Sequence, residues 1–198
     1  MENNVKRTDG MEANDEYGRH YTWYEGKRFY GPKFTNGLPE GEYVVRWPEI
    51  DELFFEGTYK SGMRDGYGVA YNENGLAEYK GYYKNGAEEG HGKYYVRGDY
   101  DSLEQIIEGE FEEGHIKNSP VIVHDIIKKE EIECTMDEDY NIIGNAIITR
   151  DDDGTKWIQN YVDGVPVGEP HPYEEPNNNQ VNKNLENRQQ QNKKQPNH

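Results

Sequence analysis

The chain has 198 residues and carries 22 Lys and Arg against 39 Asp and Glu, a formal charge of −17. Only 32% is hydrophobic and 17 Tyr supply much of that, which excludes a large aliphatic core, yet 22 Gly and 13% aromatics are too many for a featureless chain. The acidity disfavours nucleic acid and anionic membranes as partners, because both are bound by neutralising phosphate with Lys and Arg.

Residues 1–16 are polar, carry no strand pattern and read as a flexible N-terminal arm. Residues 1–10 lack the apolar stretch of a signal peptide, and no apolar run nears the ~20 residues that a membrane span needs. The single cysteine, Cys134, leaves no internal disulfide and fits a reducing compartment. A soluble, cytoplasmic protein is the expectation.

From residue 17 to 170 the chain repeats. An aromatic residue, two further residues, Gly, three residues and Gly recur at Phe34-Gly37-Gly41, Tyr59-Gly62-Gly66, Tyr83-Gly86-Gly90 and Tyr161-Gly164-Gly168. Phe111-Gly114-Asn118 is a weaker copy, lengthened by an insertion around 99–104. The wide gap before Tyr161 predicts a degenerate copy near 139–144. Asn36-Gly37, Ser61-Gly62, Asn74-Gly75, Asn85-Gly86, Asp153-Gly154 and Asp163-Gly164 are turn signals, since these pairs tolerate the positive φ of tight hairpins. Between them 53–60, 67–72, 79–84 and 93–97 have strand composition at strand length. Two strands and two turns fill each repeat. The predicted fold is therefore all-β: an elongated single-layer antiparallel meander of about six stacked β-hairpins, or about twelve strands.

Period-2 alternation puts Gly57 with Tyr59, Gly81 with Tyr83 and Gly109 with Phe111 on one face. A strand glycine leaves room for a ring to lie flat on the backbone. Stacked repeats would then align Tyr59, Tyr83 and Phe111 in a row. Residues 171–198, rich in Asn and Gln and poor in aliphatics, read as a disordered tail.

Residues 55–68, Phe-Glu-Gly-Thr-Tyr-Lys-Ser-Gly-Met-Arg-Asp-Gly-Tyr-Gly, resemble a MORN repeat, and so do residues 80–92, Lys-Gly-Tyr-Tyr-Lys-Asn-Gly-Ala-Glu-Glu-Gly-His-Gly. The resemblance is tightest over 53–95. Pro32 stands where Gly57 stands one repeat later, and Asn118 and Pro120 replace the Gly-x-Gly pair. The resemblance implies a non-enzymatic interaction module in cytoskeletal, ciliary or membrane-junction assemblies. It also implies two rival roles: phospholipid or membrane-surface binding, and regulation of an enzyme in trans.

The residues supply no catalytic constellation. Asp151-Asp152-Asp153-Gly154 fails as a calcium loop, because Thr149 and Asn160 occupy the first and twelfth positions. Gly66-x-Gly68 and Gly90-x-Gly92 are not followed by the helix that a phosphate cradle requires. The six histidines show no metal spacing, and Cys134 with His124 reads better as a buried thiol than as a nucleophile pair. No cofactor or metal is expected. The candidate binding residues are aromatic: Tyr59, Tyr83, Phe111 and Tyr161, with Tyr71 and Tyr95 on the second strands. They read chiefly as packing residues of a one-layer sheet, whose aromatic face must be covered by the arm, a second copy or a protein partner.

Overall fold

The computed structural model describes residues 8–175. Its strands are β1 (Glu12–Asn14), β2 (His20–Tyr24), β3 (Lys27–Tyr30), β4 (Gly41–Arg46), β5 (Leu53–Lys60), β6 (Met63–Tyr71), β7 (Ala77–Lys84), β8 (Ala87–Arg97), β9 (Leu103–Glu112), β10 (His115–Ile116), β11 (Pro120–Asp125), β12 (Glu130–Met136), β13 (Ile142–Arg150), β14 (Lys156–Val162) and β15 (Val165–Pro172). All belong to one open antiparallel sheet whose spatial order follows the chain, except that β11 lies beside β9 and β10 pairs β9 off that path. The expected single-layer meander is what the chain adopts. A single 3-10 turn, Asp99–Asp101, is the only helical element among the described residues and falls within the expected insertion.

Strands outnumber the expected twelve. Part of the excess is β1, inside the segment read as an arm: Glu12, Ala13 and Asn14 pair with Thr22, Tyr21 and His20. Asp15 turns the chain back by accepting the Tyr17 and Arg19 amides on Oδ1 at 3.0 and 2.8 Å, a side chain mimicking a backbone turn. β6 and β8 also begin earlier than composition suggested. Glycine weakens a strand in isolation, but here Gly66 and Gly90 pair with Tyr83 and Phe111 of the following strand and fall in the register shift against the preceding one, where a bulge takes glycine readily. β15 runs into the residues read as tail, and 176–198 lie outside the described residues.

The tight turns behave as their sequences require. Ser61 and Gly62 have φ of 50° and 88°, Asn85 and Gly86 51° and 94°, the double positive φ of a two-residue hairpin turn. Each turn also ties one repeat to the one before. The amides of Gly62, Gly86, Gly114 and Gly164 donate to the carbonyls of Pro39, Arg64, Glu88 and Ile142.

The core lies on one face of the sheet. Gly57, Gly68, Gly81, Gly92 and Gly109 stand opposite one another across β5 to β9, forming a glycine rung. A Cβ at Gly68 would overlap the Phe55 ring, and one at Gly81 or Gly92 would overlap Tyr79. Those rings lie on bare backbone, so a sheet with no second layer can still bury them: Phe55 is fully buried and Tyr79 is 2% exposed. Other rings stand edge to face around them, with Phe29–Tyr59, Tyr59–Phe55, Phe55–Tyr83, Tyr83–Tyr79 and Tyr79–Phe111 centroids 5.0–5.4 Å apart. Such edge-to-face pairs add ~0.5–1.5 kcal/mol each beyond their buried area.

Beyond Phe111 the ladder stops. At the weak copy the chain leaves the sheet between Ile116 and Pro120, and the same face continues with Ile116, Val121, Val123, Ile132, Cys134 and Met136, all buried. The sheet persists while its filling changes from aromatic to aliphatic.

Candidate binding face

The opposite face is open. Its central rung runs through Tyr30, Val44, Glu56, Val69, Lys80, Lys93, Glu108 and Ile122, paired strand to strand from β3 to β11. Tyr67 and Tyr82 lie opposite each other beside this rung, edge to face at 5.4 Å, and remain 47% and 54% exposed.

The six aromatic residues singled out from sequence are divided between the faces. Tyr59, Tyr83 and Phe111 sit in the buried ladder at 6%, 3% and 2% exposure. They do not touch in a simple row: Phe55 and Tyr79, two residues before Gly57 and Gly81, are interposed between them. Tyr161 packs half-buried against the far end of the same cluster. Tyr71 and Tyr95 project from the open face. The Tyr71 hydroxyl donates to Glu56 Oε2 at 2.6 Å, and Tyr95 pairs with Ile106. Burial, and then the Glu56 carboxylate that the hydroxyl bonds, push the Tyr71 hydroxyl's pKa above its ordinary value.

Sequence reasoning missed Tyr67 and Tyr82. A signal was present, because Tyr82 is one residue from Tyr83 and Tyr67 is one residue from Gly68, so both lie on the other face.

Along the open face the charges differ by region. Glu108 gathers Lys93 at 2.7 Å and His91 at 2.9 Å, with His124 at 3.9 Å. The bond from Lys93, with that from His91, holds the Glu108 carboxyl below the usual carboxylate range although burial opposes it. Around β3 to β6 the balance is acidic. Tyr30, Glu42, Val44, Glu56, Thr58, Tyr67 and Val69 line a shallow groove of about 530 Å³ over the backbone of Gly57 and Gly68. Glu42 makes no hydrogen bond or ion pair among the described residues, and Glu56 is bonded only to Tyr71.

Chemistry-bearing residues are kept apart. Cys134 pairs with Val121 on the ring face, while His124 is on the open face with Ile122 and Glu131. Burial pushes the Cys134 thiol up to about 11, so it is protonated at neutral pH. No group of three or more His, Cys, Asp or Glu among the described residues is arranged to hold a metal ion. No helix among them is long and apolar enough to cross a membrane.

No family model matches the chain. An alignment over 52 residues, covering 24% of the chain, is 36% identical to part of Alsin from Rattus norvegicus. The match spans about 3% of the length of Alsin, so the similarity is local.

Proposed function

We propose that the chain is a non-enzymatic β-hairpin repeat scaffold that binds another protein on the open face of its sheet. The observation that carries this reading is the exposed Tyr67–Tyr82 pair. Two large rings standing edge to face, about half-exposed and covered by none of the other described residues, are the kind of aromatic anchor on which interfaces concentrate their binding energy. The MORN resemblance supports the same role, and alone supports a cytoskeletal or ciliary setting. The separation of Cys134 from His124 by the thickness of the sheet supports the non-enzymatic part.

Affinity capture from native lysate, with the full chain and with Tyr67→Ala/Tyr82→Ala, tests the proposal. A reproducible partner lost with the double variant is expected. Equal recovery by both proteins would count against the open face.

A second reading, binding to an anionic lipid surface, is favoured by one feature of the ring face. A bulge opposite Arg46 turns Phe54 toward the same side as Phe55. Lys27 and Arg64 pack on the Phe54 ring at 4.4 and 4.9 Å, and neither forms an ion pair among the described residues. They line a cavity of about 240 Å³ with Glu25, whose carboxylate opposes anion binding. Flotation with acidic vesicles tests this reading, and absence of flotation removes it.

A further inference from the structure

We infer that the groove over β3 to β6 takes a basic side chain, Arg or Lys, presented by an extended segment of a partner protein. The inference rests on the protein-binding reading above and names the partner's chemistry.

The groove's only ionisable acids and bases other than tyrosine are Glu42 and Glu56. Val44 pairs with Glu56 and Glu42 with Thr58, so the two carboxylates are diagonal neighbours across adjacent strands. Diagonal positions lie about 7–8 Å apart, a span that one guanidinium or ammonium can bridge. The nearby arginines do not fill it, because Arg28 pairs with Asp51 and Arg46 donates to the Asp51 carbonyl. Lys80, exposed beside Val69, is the closest cation along the rung and lies outside the groove lining.

The walls suit a cation as well. Tyr67 offers a half-exposed ring face, whereas the Tyr30 ring already carries the Arg19 guanidinium at 5.2 Å and its hydroxyl donates to Asp15 Oδ2 at 3.0 Å, so Tyr67 is the wall left for an incoming cation. A cation over a tyrosine ring is attracted by its quadrupole, more strongly where water is partly excluded. By contrast, the Glu108 region already holds its own Lys and His, so an incoming cation would have to displace them. The Tyr67–Tyr82 pair continues outward from the groove, giving an extended segment an apolar contact beyond the anchored residue. A net charge of −17 accelerates the approach of any basic segment, and the groove is where that attraction becomes specific.

The test is fluorescence anisotropy of the full chain with a labelled eight-residue peptide alternating Arg and Ser. Saturable binding is expected. It should weaken about tenfold or more with Glu42→Gln and with Tyr67→Ala, as for the loss of one partner of a specific charge pair or anchor. Asp152→Asn, the same charge change on a distant exposed turn, should leave affinity within about twofold. Circular dichroism confirms that each variant folds. Absence of binding, or equal weakening by Glu42→Gln and Asp152→Asn, overturns the inference, the latter by showing unspecific attraction to an acidic chain. If a captured partner is lost with Tyr67→Ala/Tyr82→Ala but kept with Glu42→Gln, the open face binds protein and the basic-side-chain inference alone fails.

Discussion

The region from β2 to β9 and the region from β9 to β15 share one sheet and one meander but bury their common face differently. In the first, Phe55 and Tyr79 lie flat on a glycine rung and neighbouring rings meet them edge to face. In the second, Val121 and Cys134 face each other where glycines would continue, and branched side chains stand upright on ordinary Cβ atoms. Rings that lie down need glycine beneath them, because a Cβ would occupy the ring's place. Aliphatic chains need none. The repeat signature is therefore a signature of one packing solution, and it fades where the other takes over although strand pairing continues. This accounts for a family resemblance that is tightest over 53–95 and loosens toward the end of a sheet that extends to Pro172.

If the two halves differ in this way, their responses to truncation should differ. Phe55→Ala or Tyr83→Ala should cost ~3–5 kcal/mol, since each ring is wedged between others and the site cannot collapse onto a second layer. Urea unfolding by circular dichroism measures it, and a loss below about 1 kcal/mol would mean that the ladder carries little of the stability. Gly92→Ala should destabilise almost as much by pushing Tyr79 off the rung. Gly90→Ala meets no atom within 4 Å and strains only its backbone, at φ 72°, so it should cost less. In the aliphatic half, Ile132→Val should cost only ~0.5–1.5 kcal/mol. Cys134 reports on the same region: a buried thiol raised to about 11 should react with a disulfide reagent at pH 8 only as fast as the sheet opens. Prompt labelling in the native state would show that the aliphatic half is loosely packed.

The first and last strands sharpen the comparison with smaller effects. At the β1 turn, burial alone would raise the Asp15 carboxyl, but the Arg19 amide and guanidinium, with Tyr30 and Tyr17, hold it at about 2 against an ordinary 3.8. The folded value is depressed, so its contribution is complete above about pH 4 and is lost as pH falls from there through 2. Amide exchange at β1 should accelerate across that window while the glycine rung stays protected. Loss of both together would show one cooperative unit. β15 is exposed along its whole length, yet Pro166, Pro170 and Pro172 occupy it. Val162 and Val165 close a two-residue turn and the Tyr173 amide donates to Lys156. Alternation then points the backbone of Pro166, Pro170 and Pro172 outward, where proline offers no donor to an added strand. Replacing all three with Thr should leave stability nearly unchanged but promote end-to-end association, seen by light scattering. A monomer after that change would mean the edge is protected by something other than proline.

Much of this was legible in particular residues. Ser61-Gly62, Asn85-Gly86 and Asp163-Gly164 announced tight hairpins because their backbone demands are local, and Leu53–Lys60 announced β5 because its composition suits a pleated ladder. β1 was not legible, since Glu12, Ala13 and Asn14 have no strand preference and are ordered by Asp15 and by pairing with β2. The candidate site was half legible. Aromatic residues were recognised as its material, but Tyr59, Tyr83 and Phe111 proved to be packing while Tyr67 and Tyr82 proved to be surface. By itself the sequence determined the hairpin, its period and the glycines that let rings lie flat, because each depends on φ/ψ preference and residue size within a few positions. Only the tertiary structure decided which ring touches which, which face stays open, and that Glu42 and Glu56 stand diagonal to each other with no ion pair to either among the described residues. Those depend on cross-strand register, which joins residues a whole repeat apart.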